Sequence, residues 1–151
     1  MNKFFESLKY IKCQMNTKTE QTVARILFNY SIKVSTAESC TGGLLSSRLT
    51  DVAGSSSFVK ENFVTYANEA KMDILGVSQE TLDTYGAVSE ECAKEMAEGL
   101  YAKTGCDVAI STTGIAGPTT PEVGKPVGLM YVAIKNKYAI KAKKVEVNPH
   151  L

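Results

Sequence analysis

The sequence predicts an α/β fold, a three-layer sandwich in which a mixed β-sheet carries helices on both faces. Segments with helical periodicity alternate with β-branched, strand-like runs through the first two-thirds of the chain, which points to parallel strands joined by helices. Two further strand-like runs, LMYVAIKN and YAIKAKKVEV, close the chain with Asn136-Lys137 near the turn between them, so an antiparallel pair completes the sheet. A length of 151 residues with 44% hydrophobic and 22% charged side chains suits one domain built on a single core.

Residues 1–16 show little pattern and are expected to form a loose arm or a short helix, with the domain proper over 17–151. Thr17-Lys-Thr-Glu20 is a capping box, whose hydroxyl and carboxylate can each satisfy a free backbone N–H. Val23, Ile26, Leu27 and Tyr30 follow at i, i+3, i+4 and i+7, so a helix over 17–30 with that apolar face is predicted. SIKVSTAE (31–38) alternates Ile32, Val34 and Thr36 with polar neighbours and reads as a strand. After the glycine pair 42–43, LLSSRLTDV reads as a helix ending near Gly54. SFVKENFVTYAN (57–68) is aromatic and β-branched, hence strand.

NEAKMDILGV is a short helix stopped by Gly76, and SQETLDTYG another, capped by Ser78. Ser89 opens the strongest helix of the second half. Glu90 and Glu91 in its first turn and Lys103 in its last complement the helix dipole, and Gly105 is a natural terminator. Its buried stripe is Ala93, Met96, Ala97 and Leu100. CDVAISTTGI (106–115) has strand length and composition, and AGPTTPEVGKPVG (116–128) is a loop.

Several functional classes are disfavoured. Seventeen basic against sixteen acidic residues leave a formal charge of +1, unlike the basic excess of a polyanion binder. The five lysines of KNKYAIKAKK (135–144) read as protection of an edge strand, and no nucleic-acid partner is expected. No apolar run approaches the roughly 18–20 residues that span a bilayer, and MNKFFESLKYIKCQMNTK lacks the apolar core of a secretory signal. A cytoplasmic protein without a membrane partner is the expectation. Cys13, Cys40, Cys92 and Cys106 never fall at C-x-x-C spacing, and His150 is the one histidine. Reduced thiols are therefore expected, with no metal and no cofactor.

The segment 36-TAESCTGG-43 holds the densest chemistry. A strand ending at Glu38, then a turn and a helix from about Gly42, sets free backbone N–H groups beside the Ser39 hydroxyl. Those donors could hold a phosphate or carbonyl oxygen, or stabilise an oxyanion. An ordinary helix start capped by Ser39 or Thr41 fits the same residues. A nucleophile here needs a base, and the single histidine is the second-last residue. Lysine, tyrosine and carboxylates remain, and Ser–Lys pairing is one solution. Lys71 stands just after a strand end at the start of an apolar helix, although a surface position on that short helix fits equally. The segment 111-STTGIAGP-118 repeats the pattern of strand end, hydroxyls and glycines, so it could face the same crevice.

AESCTGG, TDVAGSSSF, FVTYANEAK, YGAVSEE, STTGIAGP and GKPVG, in this order and spacing, resemble the CinA C-terminal domain family over about residues 20–135. That family includes stand-alone nicotinamide-nucleotide amidases. The resemblance implies an amidohydrolase of pyridine-nucleotide salvage that converts nicotinamide mononucleotide to nicotinate mononucleotide and ammonia, without a metal. Motif by motif, it implies Ser39 as nucleophile, with Cys40 as the lesser alternative, and Lys71 as base. Tyr66 and Thr113 would orient them. Glu38, Cys40, Thr41, Gly42, Gly43 and Gly114 would bind substrate, with amides around Thr41 and Gly42 receiving the oxyanion. A homodimer is the implied assembly.

The sequence departs from the family in three places. TTPEVG replaces a glycine-rich segment after the GP of TGIAGP, and Asn62 stands where many members have glycine. Members also continue past the last strand into an arginine-bearing segment and a long final helix. With the sequence ending at Leu151, one sheet face is expected to lie uncovered and one basic contributor to be missing. A weakly active or inactive module that binds a nucleotide or a partner is thus the alternative. The larger relatives carry an N-terminal nucleotide-hydrolysing domain that has no counterpart in these residues.

Overall fold

A computed structural model describes residues 18–120 and 122–148. The elements run α1 (Lys18–Asn29), β1 (Val34–Glu38), α2 (Leu44–Thr50), a 3₁₀ turn (Ser55–Ser57), β2 (Val59–Val64), α3 (Asn68–Leu75), α4 (Gln79–Tyr85), α5 (Glu90–Thr104), β3 (Val108–Gly114), β4 (Leu129–Asn136) and β5 (Ile140–Glu146). The five strands form one mixed sheet in the order β2-β1-β3-β4-β5. β1 runs parallel to β2 and β3, while β4 is antiparallel to β3 and β5 antiparallel to β4.

Local chemistry sets the helix ends. The Ser78 hydroxyl accepts from Thr81 N–H, and the Ser89 hydroxyl from Cys92 N–H. Gly76 and Gly105 close α3 and α5 in the left-handed conformation. Every residue of β1 is buried because helices press on both its faces. Val34 packs with Leu27 of α1, Leu49 of α2 and Phe58, whereas Ala37 packs with Leu75 of α3 and Met96 and Leu100 of α5. The alternation read in SIKVSTAE therefore marks two cores rather than a core and a solvent face, and the strand begins at Val34 because Ser31 sits in a left-handed turn.

Two expectations need correction. The buried stripe of α1 is Glu20, Ala24 and Leu27, while Val23, Ile26 and Tyr30 are 38%, 47% and 75% exposed. Ala24 and Leu27 pack on Val34, Leu49 and Phe58, and the guanidinium of Arg48 on α2 pairs with Glu20, so the carboxylate can share that inward stripe. The Thr17 cap lies outside the described residues. The strand expected over 57–68 is shorter, since Ser55–Ser57 forms a 3₁₀ turn and β2 ends at Val64.

Coverage of the sheet is uneven. Ala93 and Ala97 of α5 pack on Ala133 of β4, with Ile140 and Ala142 of β5 alongside. Val132, Ile134 and Val145 lie on the opposite face with Lys141 and Lys143, along an open groove of about 780 Å³. Helices thus cover both faces of the β2-β1-β3 half, and α5 covers one face of β4-β5. Lys141, Lys143 and Lys144 belong to the edge strand β5, as expected of edge protection. Lys135 instead belongs to β4, where it pairs with Glu98 at 3.2 Å and sits over the Tyr101 ring. Among the described residues no helix is long and apolar enough to cross a membrane.

Candidate active site

The carboxyl ends of β1 and β3 lie side by side, with Glu38 in register with Thr112. Ser39 N–H donates to Thr112 C=O at 3.0 Å, and Thr65 N–H, just past β2, donates to Glu38 C=O at 2.8 Å. Three strand ends therefore converge on Ser39. The chain then turns sharply: Gly42 N–H bonds back to Ser39 C=O at 3.0 Å, and Gly42 and Gly43 take φ values of 57° and 100°. A β-carbon disfavours both conformations.

Lys71 reaches this turn from α3. Its Nζ donates to the Thr65 carbonyl at 3.0 Å and the Tyr66 carbonyl at 2.8 Å, and lies 3.2 Å from Ser39 Oγ. The side chain is 1% exposed, and no carboxylate forms an ion pair with it among the described residues. Burial lowers its pKa, against smaller opposing contributions from Cys92, Cys40, Glu122 and Glu69. A neutral amine has two protons and one lone pair. As an ammonium Lys71 donates to all three oxygens; in the neutral form, with both protons given to the two carbonyls, its lone pair would face Ser39 Oγ, the geometry required to accept a hydroxyl proton.

Glu38, expected to bind substrate, is enclosed behind the turn. Its carboxylate accepts from the amides of Gly43 (3.1 Å), Leu45 (3.0 Å) and Ser46 (2.8 Å) and from the Ser46 hydroxyl. Burial pushes its pKa up, yet hydrogen bonds from Ser46, Thr41 and the Ser46 and Leu45 amides bring it below the ordinary value. Glu38 is an internal cap for α2. The Thr36 hydroxyl extends this network, bridging Ser46 at 2.8 Å and Asn62 at 2.9 Å.

That arrangement decides which amides are left. Gly43 N–H is held by Glu38 and Gly42 N–H by Ser39 C=O, which removes the expected role of Gly42 in receiving an oxyanion. Among the described residues no backbone carbonyl accepts from the Cys40 and Thr41 amides, which point instead at the weak acceptor of the Cys40 sulfur. The Cys40 thiol is half-buried, and burial raises its pKa, which disfavours a thiolate nucleophile.

A cavity of about 530 Å³ opens over this centre, and Ser39, Cys40, Tyr66, Lys71, Thr113 and Gly114 all line it. Glu38, Thr41, Gly42 and Gly43 do not. The Thr41 hydroxyl is tied to that of Thr112 at 2.8 Å. Thr113 Oγ1 donates to Ala87 C=O at 2.7 Å, so it braces a cavity wall and makes no hydrogen bond to Lys71. Tyr66 acts on Lys71 through its carbonyl, while its ring is 73% exposed. Gly114 is needed for packing, because a β-carbon there would fall 2.7 Å from Leu129 C=O.

Four contributors escaped the sequence reading. Thr65 holds Lys71 through its carbonyl, and Ala87, Val88 and Glu122 line the cavity. Thr65 and Tyr66 lie only six and five residues before Lys71, a spacing that could have shown the carbonyl pair. No local signal joins Glu122 to Val88.

The profile of the CinA C-terminal domain matches residues 16–150. A CinA-like protein from Chlorobium limicola is 49% identical over 129 residues, covering 85% of this chain and 30% of the relative. A CinA-like protein from Chlorobaculum tepidum is 48% identical over 140 residues, covering 91% of this chain and 33% of its own length. The chain thus spans about a third of these curated relatives. Among solved structures, the competence/damage inducible protein CihA from Agrobacterium tumefaciens superposes with a TM-score of 0.83 at 42% identity, covering 86% of this chain and 79% of that one. A CinA superfamily protein from Escherichia coli gives 0.82 at 37% identity, covering 85% and 75%.

Proposed function

The chain belongs to the CinA C-terminal domain family, and on that footing we propose that it is a serine amidohydrolase acting on nicotinamide mononucleotide. The observation that carries this reading is the buried amine of Lys71, held by two carbonyls with its third direction 3.2 Å from Ser39 Oγ. Neutral Lys71 takes the Ser39 proton as Oγ attacks the carboxamide carbon. The Cys40 and Thr41 amides receive the oxyanion. Protonated Lys71 then gives its proton to the departing nitrogen as the C–N bond breaks, leaving ammonia and a Ser39 ester. Water attacks that ester, its proton passes to Lys71 and back to Ser39 Oγ, and nicotinate mononucleotide is released.

Among the described residues the lining has one basic side chain, Lys71, which this scheme holds neutral, so the nucleotide phosphate falls to hydroxyls and amides such as those of Thr119 and Gly117. That scarcity of positive charge favours a second reading, a nucleotide-binding module with little turnover. Ammonia release from nicotinamide mononucleotide separates the two. The amidase reading expects release matched by nicotinate mononucleotide and lost in Ser39→Ala. Release no greater than in Ser39→Ala, with calorimetric binding of the nucleotide intact, would leave the binding module.

A further inference from the structure

Part of the cavity wall is built from the turn between α4 and α5. Ala87 and Val88 line it, and Ala87 C=O takes the Thr113 hydroxyl. Val88 is buried with Ile115 and Leu129. This turn has no regular partner strand. It is fastened instead by two side chains from the 116–128 loop. Lys125 Nζ donates to Tyr85 C=O at 2.7 Å and Val88 C=O at 2.8 Å, and pairs with Glu122 Oε2 at 2.5 Å. Glu122 Oε1 accepts from Val88 N–H at 3.1 Å.

Every donor of Lys125 is matched, and both hydrogen-bonding groups of the Val88 backbone are held by the same ion pair. Gly86 gives the room: at φ 80°, a β-carbon there would fall 2.5 Å from Glu122 Oε2 and 2.8 Å from Lys125 Nζ. Lys125 and Glu122 are about one-quarter exposed, with values of 24% and 23%, so the pair is partly shielded from water. Lys125 does not line the cavity and has no hydrogen bond to Ser39 or Lys71.

We propose that Glu122 and Lys125 are positioning residues, a clasp that sets the Ala87–Val88 wall and so governs substrate capture rather than the chemical step. The kinetic side of this proposal rests on the amidase reading; the structural side does not. The test is Lys125→Met, with Glu122→Gln as a milder second variant. Two readouts are taken: kcat and KM for nicotinamide mononucleotide, and amide hydrogen exchange at Val88 with Leu100 in α5 as reference.

For Lys125→Met the clasp predicts that KM rises about tenfold while kcat stays within about threefold, and Glu122→Gln, which also faces the cavity, is read by exchange alone. Val88 exchange should quicken about tenfold or more with Leu100 unchanged, a local rather than global opening. Unchanged Val88 exchange in both variants overturns the proposal. So does a fall in kcat at constant KM, which would move the pair into the chemistry. If the wild-type chain releases no ammonia, the amidase reading falls, and Val88 exchange alone decides whether the clasp exists.

Discussion

Glu38 and Lys71 flank Ser39, both enclosed, and the fold treats them in opposite ways. Around Glu38 it converges four close donors, three amides and the Ser46 hydroxyl, with the Thr41 hydroxyl assisting, so the carboxylate's pKa is lowered in spite of burial. Around Lys71 it supplies two neutral carbonyls and a hydroxyl but no paired carboxylate, so burial lowers the pKa. The first is an anchor that fixes the turn. The second is a strained charge whose easiest relief is to lose a proton, which is what a general base requires. Burial alone assigns neither role; the partners do.

Lys71→Met should break the pair most severely. Turnover is expected to fall about 1,000-fold or more, read as ammonia release. The wild-type rate should rise with pH as the neutral amine becomes populated, on a limb that the variant lacks. Stability should move the other way. The folded pKa of Lys71 lies below its ordinary 10.5, so its contribution is full above that value and lost as pH falls through the folded pKa. The stability of Lys71→Met relative to wild type should therefore improve as pH falls from alkali towards neutrality, set against the two carbonyl hydrogen bonds that Met cannot make, as denaturant titrations would register. Near-normal turnover would remove Lys71 from the chemistry.

Glu38→Gln comes second. Replacing one acceptor oxygen by a donor amide, in front of four donors, is expected to cost about 2–4 kcal/mol in urea unfolding. The sign with pH is opposite to that of Lys71. The folded pKa of Glu38 is depressed below 4.5, so its stabilisation is present above that pH and lost as pH falls through the folded value. The Gln variant should lack this acid loss. A cost under about 1 kcal/mol would show that the cap is not an anchor.

Thr113→Val should have the smallest effect. It removes the donor to Ala87 C=O and should cost about 1 kcal/mol, with kcat within about threefold. Collapse of kcat would place the Thr113 hydroxyl on the reacting atoms.

Much of this was legible in the residues, for reasons that differ between elements. The helix from Ser89 carried its own cap, dipole charges, apolar stripe and terminal glycine, so local chemistry alone specified it. On helix α1 an apolar stripe at Val23, Ile26 and Tyr30 competes with one that begins at Glu20, and the packing of Ala24 and Leu27 on Val34, Leu49 and Phe58, with Arg48 paired to Glu20, decides between them. Ser39 and Lys71 were visible as motif residues, but the enclosure that sets Lys71 apart from a surface lysine joins residues 32 apart in the chain. Glu38 shows the same limit from the other side: nothing in AESC says that the carboxylate turns away from the cavity. Glu122 and Lys125 stand 34 and 37 residues from Val88, beyond any periodicity.

The central position of β1 has a consequence for how the chain comes into being. Its neighbour β3 is made long after it, and Ser39 N–H waits for the carbonyl of Thr112. At roughly 5–20 residues per second, a ribosome needs about 4–15 s to cover that distance. Through that interval the nascent chain holds a finished Ser39 segment with no adjacent strand on one side. The juxtaposition of Ser39 and Lys71 with the cavity can assemble only once α5 and β3 have emerged, so substitutions that slow the docking of α5 should lower the yield of folded protein before they alter the site itself.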